Sequence, residues 1–261
     1  MKFAISGILA LGVLSATAAG AQTLTIGSSA DYPPWESVDA NNEIVGFDRD
    51  FGDELCKRMN VTCTWANQAY DGLLPSLQVG KFDALISGIS INAERAAMVD
   101  FSIPYADAPN AFAGPVGGDL GPDADKDAMI AALSGLTIGV QSGTTHEQVL
   151  SAHFPDVDAR IYERPEQIVD DINAGRLDAG LMEMSAWEPF MADGEDNGLT
   201  YFGPQLSSAD YEEFGNGQGV AIKKDSPLKA EMDAAIASML ADGTLSELSQ
   251  KWFGYDISFR E

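Results

Sequence analysis

The spacing of apolar and polar positions changes several times along the chain, and each change marks a strand or a helix. LTIGS at 24–28 is an apolar run of strand length, and IVGF at 44–47 is another. Phe51, Leu55 and Met59 recur at i, i+4 and i+8, which predicts a helix over 48–59 with one buried stripe. A strand at 61–65, a helix at 71–79, a strand at 82–87 and a short helix near 92–97 follow. DFSIPYADAP, 100–109, holds two prolines and reads as an extended crossover. From about 110 the alternation restarts. A polar loop at 117–128 runs into a helix reaching about 133, then come strand 136–140, helices 144–153 and 165–174, and strand 177–182. FGNGQGVAIKK, 214–224, reads as a second crossover into a strand. Ser226-Pro227 predicts a helix with proline at its first position, and Gly243 its end. Thr244 and Glu247 then suggest a capping box for a last helix burying Leu245, Leu248 and Trp252.

The chain repeats itself. LQVGKFDALISGIS, 77–90, is echoed by INAGRLDAGLMEMS, 172–185, and LTIG occurs at both 24–27 and 136–139. Strands alternating with helices imply an α/β fold of two parallel-type sheets with helices on both faces. Two such units joined by two extended crossovers predict two lobes on a two-strand hinge. One would hold residues 22–108 and 215–261, the other 109–214. Ligands of open α/β sheets sit beyond the carboxyl ends of the strands. The repeated unit therefore delivers Ser87-Gly88-Ile89-Ser90 from one lobe and Met182-Glu183-Met184-Ser185 from the other to a single cleft.

Residues 1–21 read as a secretory leader: Lys2, an apolar run through Leu14, then Ala19-Gly20-Ala21 before a cut ahead of Gln22. No cysteine sits at the cut, and no other segment nears the ~20 apolar residues a bilayer needs. A soluble protein of the Gram-negative periplasm is expected. Losing the leader removes one lysine, so 14 basic residues face 40 acidic ones. Such a charge repels nucleic acid and anionic lipid, which removes both as partners. In an oxidising compartment Cys56 and Cys63, across a helix-to-strand turn, read as a disulfide, with two buried thiols as the alternative. Zinc would need more soft ligands than His146 and His153 supply. Asp123, Asp125 and Asp127 imitate a calcium loop, but Ala128 and Ser134 stand where its glycine and closing glutamate belong. No metal or cofactor is expected.

Three groups of residues carry candidate chemistry. Arg95, in SINAER with Ser90, offers a planar fork to a carboxylate, although an arginine on a short helix is more often a solvated charge. GVQSGTTHEQV, 139–149, places backbone amides at a helix start, where the dipole favours an anion. An ordinary helix start capped by Thr144 and Glu147 explains the same residues. Glu183, where a strand should end, is costly there unless something cationic meets it; the alternative is a solvated loop glutamate. Together Arg95, the Thr145 amide and Glu183 describe a site for an α-amino-acid zwitterion. Tyr32 and Tyr70, in DYPPWE and QAYDG, are candidates to sandwich the ligand side chain, while Trp35 reads equally as a lid of the core.

At these residues the chain resembles the polar amino-acid-binding proteins of bacterial ABC transporters, among them the lysine/arginine/ornithine, histidine, octopine and nopaline binders. YPPW, GFDRDFGDELCKRMNVTC, DGLLPSLQVGKFDA, SGISINAER, GVQSGTTHE, GRLDA and LSQKWFGYD carry the likeness over nearly the whole mature chain. The resemblance implies the two-lobed type II periplasmic-binding-protein fold, closing on its ligand, with a disulfide matching Cys56–Cys63. By motif position Arg95 and the Thr145 amide hold the α-carboxylate. Ser90, the Gly88 carbonyl and Glu183 hold the ammonium, and Tyr32 and Tyr70 flank the side chain. Ser87, Gln141, Thr144 and His146 complete the pocket. Three positions depart from similar basic-amino-acid and opine binders: Ser29 stands where an acid is usual, although Asp31 and Glu36 are near in sequence, Gly88 where serine is common, and Glu183 where aspartate is usual. The function implied is delivery of a polar or basic L-amino acid to a membrane permease by a monomeric, non-catalytic receptor. A sensory binding protein and a dehydratase-type enzyme on the same fold are the alternatives.

Overall fold

The computed structural model describes residues 22–115, 120–191 and 198–260; the leader expected over 1–21 lies outside them. Two five-stranded sheets share one strand order. The first runs Thr62–Asn67, Thr23–Ser28, Ala84–Leu85, Ala221–Ile222, Asp100–Phe101, and the second Asp158–Tyr162, Thr137–Gln141, Ala179–Glu183, Asn110–Pro115, Leu199–Leu206. In each the first three strands are parallel. Ala221–Ile222 and Asn110–Pro115 then run antiparallel to both of their neighbours. The sheets are therefore mixed rather than parallel throughout. Chain arriving from the other lobe enters each sheet from the opposite end, so its first strand lies reversed.

The repeated sequence is a repeated structure. Ile26 pairs with Ala84 and Ile138 with Ala179, each inside a parallel ladder. Asp83 Oδ2 accepts from the Thr25 amide, and Asp178 Oδ2 accepts from the Thr137 amide, both at 2.7 Å. The two aspartates thus close off the start of equivalent strand pairs. The glycine of each LTIG is dictated by packing: a Cβ on Gly27 would lie 2.6 Å from Phe82, and one on Gly139 2.6 Å from Leu177. Phe82 and Leu177 are the matching residues of the repeat. Gly80 and Gly175, after the helices Leu73–Gln78 and Pro165–Asn173, hold φ of 82° and 68°, the left-handed conformation that ends a helix.

Both faces of each sheet are covered. In the first lobe Ala84 and Ile222 face a core with Phe47, Phe51, Trp35 and Ile236, while Leu85 and Ala221 face Leu73, Leu77 and Phe82. Successive strand residues point to opposite faces, so two-residue strands serve both cores. The second lobe repeats this with Phe112, Val140 and Leu181 on one face and Ala113, Ile168 and Trp187 on the other. A three-stranded hairpin layer, Asp31–Tyr32, Glu36–Val38 and Ile44–Val45, lies beside the first sheet. Cys56 and Cys63 are joined as a disulfide, tying the end of helix Phe47–Arg58 to strand Thr62–Asn67.

Local expectations shift in three places. Phe47 opens a helix instead of ending a strand. Pro227 lies in a turn, and the helix beyond it is Lys229–Ala241, because the Ser226 hydroxyl and carbonyl take the Leu228 and Lys229 amides first. Thr244 is not a cap: its hydroxyl donates to Asp242 at 2.6 Å, and left-handed Gly243 precedes helix Thr244–Phe253. Asp125, one of the calcium-like aspartates, caps helix Lys126–Leu133 through the Ala128 amide at 2.9 Å. Among the described residues no group of three or more His, Cys, Asp or Glu could hold a metal, and no helix is long and apolar enough to cross a membrane.

Candidate functional site

The carboxyl ends of Thr23–Ser28 and Ala84–Leu85 in one lobe face those of Thr137–Gln141 and Ala179–Glu183 in the other. Between them lies a small cavity. Tyr32, Tyr70, Ser87, Gly88 and Ser90 line it from the first lobe. Gln141, Thr144, Thr145, His146 and Glu183 line it from the second. Arg95 alone of the sequence-derived set is not among the lining residues, and Glu36, absent from that set, lines the cavity.

Arg95 is only 2 % exposed, which rules out a solvated surface charge. The Asn92 side chain caps its helix, Ala93–Met98, by accepting from the Arg95 amide at 2.9 Å. Its guanidinium donates to the Ser90 carbonyl at 3.1 Å and, across the cleft, to the Gly143 carbonyl at 3.0 Å. The same guanidinium lies 5.8 Å from the Tyr70 ring centroid. Opposite it, helix Thr145–His153 begins at the cavity. Thr144 Oγ1 donates to the Gln141 carbonyl at 2.7 Å and accepts from the Glu147 amide at 3.3 Å. Glu147 Oε2 reaches back to the Gly143 amide at 2.7 Å, one residue short of a capping box. The Thr145 amide belongs to the first turn, whose N–H groups have no acceptor within the helix. These groups could meet an anion at this end of the cavity.

Glu183 is the last residue of its strand and is 6 % exposed. Tyr32 Oη donates to Glu183 Oε2 and accepts from the Glu183 amide at 3.2 Å. Burial first, then the neighbouring Glu183 charge, pushes the Tyr32 hydroxyl well above its ordinary value, so it remains a donor. His146 Nε2 lies 3.5 Å from Glu183 Oε2 and 2.8 Å from Asn110 Oδ1. Burial lowers the His146 pKa against the opposing pull of Glu183, which keeps the ring neutral. Among the described residues Glu183 thus has hydrogen bonds but no full cation beside it, and a cation could bind there.

Between these ends the polar groups continue through the first lobe. Ser87 Oγ accepts from the Ser29 amide at 2.9 Å and donates to Glu36 Oε1 at 2.7 Å. Ser29 Oγ donates to Asp31 Oδ1 at 3.0 Å, and burial pushes Asp31 up to about 6. Trp35 Nε1 donates across the cleft to Ser185 Oγ at 2.9 Å, and Asn92 Nδ2 to Gln148 Oε1 at 3.1 Å. The lobes are closed on each other.

A family description, bacterial extracellular solute-binding proteins, family 3, matches residues 24–255. The chain is a member of that family. It is 36% identical to the L-arginine-binding protein of Pseudomonas aeruginosa over 262 residues, 98% of each chain. To the histidine-binding periplasmic protein of Salmonella typhimurium it is 35% identical over 263 residues, again 98% of each. A solved Salmonella typhimurium periplasmic binding protein, described as having high arginine specificity, superposes with a TM-score of 0.79 at 32% identity, covering 89% of this chain and 100% of that one.

Membership in family 3 accounts for the two matched sheets and the cleft between them. Sequence reasoning missed three partners in that cleft. Glu36 enters only as an acid near Ser29 in sequence, Ser185 only as the end of a repeat, and Asn110 not at all. Glu36 carried one signal, its nearness to Ser29, where an acid is usual; nothing local marked the other two.

Proposed function

We propose that this family 3 protein captures an α-amino acid as its zwitterion and releases it to an ABC-type permease in the inner membrane. The observation that carries the reading is the opposed chemistry of the cavity ends. Arg95 and the start of helix Thr145–His153 lie at one end, and Glu183 with Tyr32 at the other. Arg95 and the Thr145 amide hold the α-carboxylate. Glu183, Ser90 Oγ and the Gly88 carbonyl hold the ammonium, and the side chain lies between Tyr32 and Tyr70. Residues 22–108 with 215–261 move against 109–214, and the ligand favours the closed arrangement by bonding to both. The names of the relatives support a polar or basic amino acid as cargo. The mature receptor begins at Gln22 in the periplasm, acts as a monomer and performs no chemistry.

Ligand-stripped protein screened by thermal shift against α-amino acids tests the assignment. A ligand present at 100 times its dissociation constant adds ~2.7 kcal/mol of stability. Stabilisation by one or a few α-amino acids, lost in Arg95→Ala and in Glu183→Gln, is the expected result. A shift with non-amino-acid solutes alone would overturn it.

A further inference from the structure

Asn92 stands between Ser90 and Arg95 in SINAER and is 7 % exposed. Its carboxamide is used at both ends. Oδ1 accepts from the Arg95 amide at 2.9 Å and so caps helix Ala93–Met98. Nδ2 carries two hydrogens. It donates to Gln148 Oε1 at 3.1 Å and to the Glu213 carbonyl at 2.8 Å. The oxygen thus serves its own helix, and the nitrogen reaches the other lobe.

Both acceptors belong to one packed unit. Gln148 lies on helix Thr145–His153. Glu213 is held to the same helix by His153, whose Nε2 lies 2.9 Å from Glu213 Oε1. Beside it Phe214 packs on His146 and Tyr211 on His153, with ring centroids 5.7 and 4.8 Å apart. The start of that helix lines the cavity with Thr144 and Thr145, and Gly143 just before it accepts from the Arg95 guanidinium at 3.0 Å. Arg95 and Asn92 therefore hold the same helix of the opposite lobe, one just before its start and the other further along. A helix cap needs only an oxygen, which serine, threonine or aspartate supplies as well. Asparagine adds two donors, and here both cross between the lobes.

We propose that Asn92 is a positioning residue for ligand capture: it fixes the helix start that carries Arg95 and, through Gln148 and Glu213, ties that helix to the lobe that supplies the Thr145 amide. Arg95 and the Thr145 amide, the two holders of the α-carboxylate, are then brought together by one act of closing. Asn92 itself does not line the cavity. This rests on the zwitterion site proposed above and adds a residue outside the cavity on which the assembly of that site depends.

The test compares Asn92→Ser and Asn92→Ala by thermal melting of ligand-stripped protein, titration calorimetry with L-arginine and L-glutamine, and ligand dissociation rates. Serine keeps the cap and the charge but is too short to reach the other lobe; alanine loses cap and bridge together. Asn92→Ser is expected to melt close to wild type, to bind whichever of the two ligands the wild type binds about tenfold more weakly, and to release it correspondingly faster. Asn92→Ala should lose both stability and affinity. Gln148→Met removes one acceptor without touching the cap, and its effect on affinity should shrink when combined with Asn92→Ser. Wild-type affinity in Asn92→Ser beside weak binding in Asn92→Ala would make Asn92 a helix cap only and overturn the proposal. So would effects of Asn92→Ser and Gln148→Met that simply multiply in the double variant. Binding of neither amino acid by the wild type overturns the zwitterion reading, and this inference with it.

Discussion

Trp35 and Ser185, 150 residues apart, hydrogen-bond across the cleft at 2.9 Å, and they are 1 % and 0 % exposed. The indole N–H of one lobe finds its partner only in the other. Closure is therefore stabilised by protein as well as by ligand.

Ser185→Ala leaves that buried N–H without an acceptor in the closed form, at a cost of ~1–3 kcal/mol. Ligand affinity should fall about tenfold, since binding and closure are linked. Titration calorimetry reads the affinity, and small-angle scattering should show a more open unliganded protein. Unchanged affinity would mean the bond survives opening.

Arg95 spans both lobes through the Ser90 and Gly143 carbonyls. Arg95→Ala should weaken ligand by ~2–5 kcal/mol, the usual loss for one partner of a buried charged contact. Arg95→Lys restores charge without the fork and should recover only part of it. Equal affinity in the lysine and wild-type proteins would show that charge alone suffices.

The Cys56–Cys63 disulfide closes a short loop on the outer side of the first lobe. Replacing both with serine should lower stability by about 2–3 kcal/mol, mainly by freeing the unfolded chain. For a protein of this size that is roughly 5–10 °C in Tm. Ligand affinity should be unchanged, because neither cysteine lines the cavity. Denaturant titration and calorimetry separate the two effects.

Burial raises Asp31 from the ordinary aspartate value to about 6. The folded state therefore holds a proton that the unfolded state has lost, across the window from 3.8 to about 6. Stability falls as pH rises through that window and is level above it. Asp31→Asn removes this dependence and keeps an acceptor for Ser29. The variant should gain stability over wild type on going from about pH 4 to about pH 7. A constant difference in Tm at the two pH values would show that Asp31 titrates normally.

Most helices, the central strands and their duplication are legible along the chain, while strands Asp158–Tyr162 and Leu199–Leu206 are not. Helix stripes, glycine stops and the repeat at 77–90 and 172–185 are local signals, set by backbone sterics and by one buried face per element. Family motifs added the pocket residues on both walls, and all except Arg95 line the cavity. Tertiary structure decided the rest. The reversal of Ala221–Ile222 and Asn110–Pro115 depends on which lobe the chain arrives from, and no local periodicity encodes direction. Trp35 with Ser185, Tyr32 with Glu183 and Glu36 with Ser87 are meetings of distant segments. Whether a carboxyl group there is a solvated charge or a buried hydrogen-bond acceptor depends on burial and neighbours. Those are properties of the packed molecule, created only when both lobes and the hairpin layer exclude water from the same few groups.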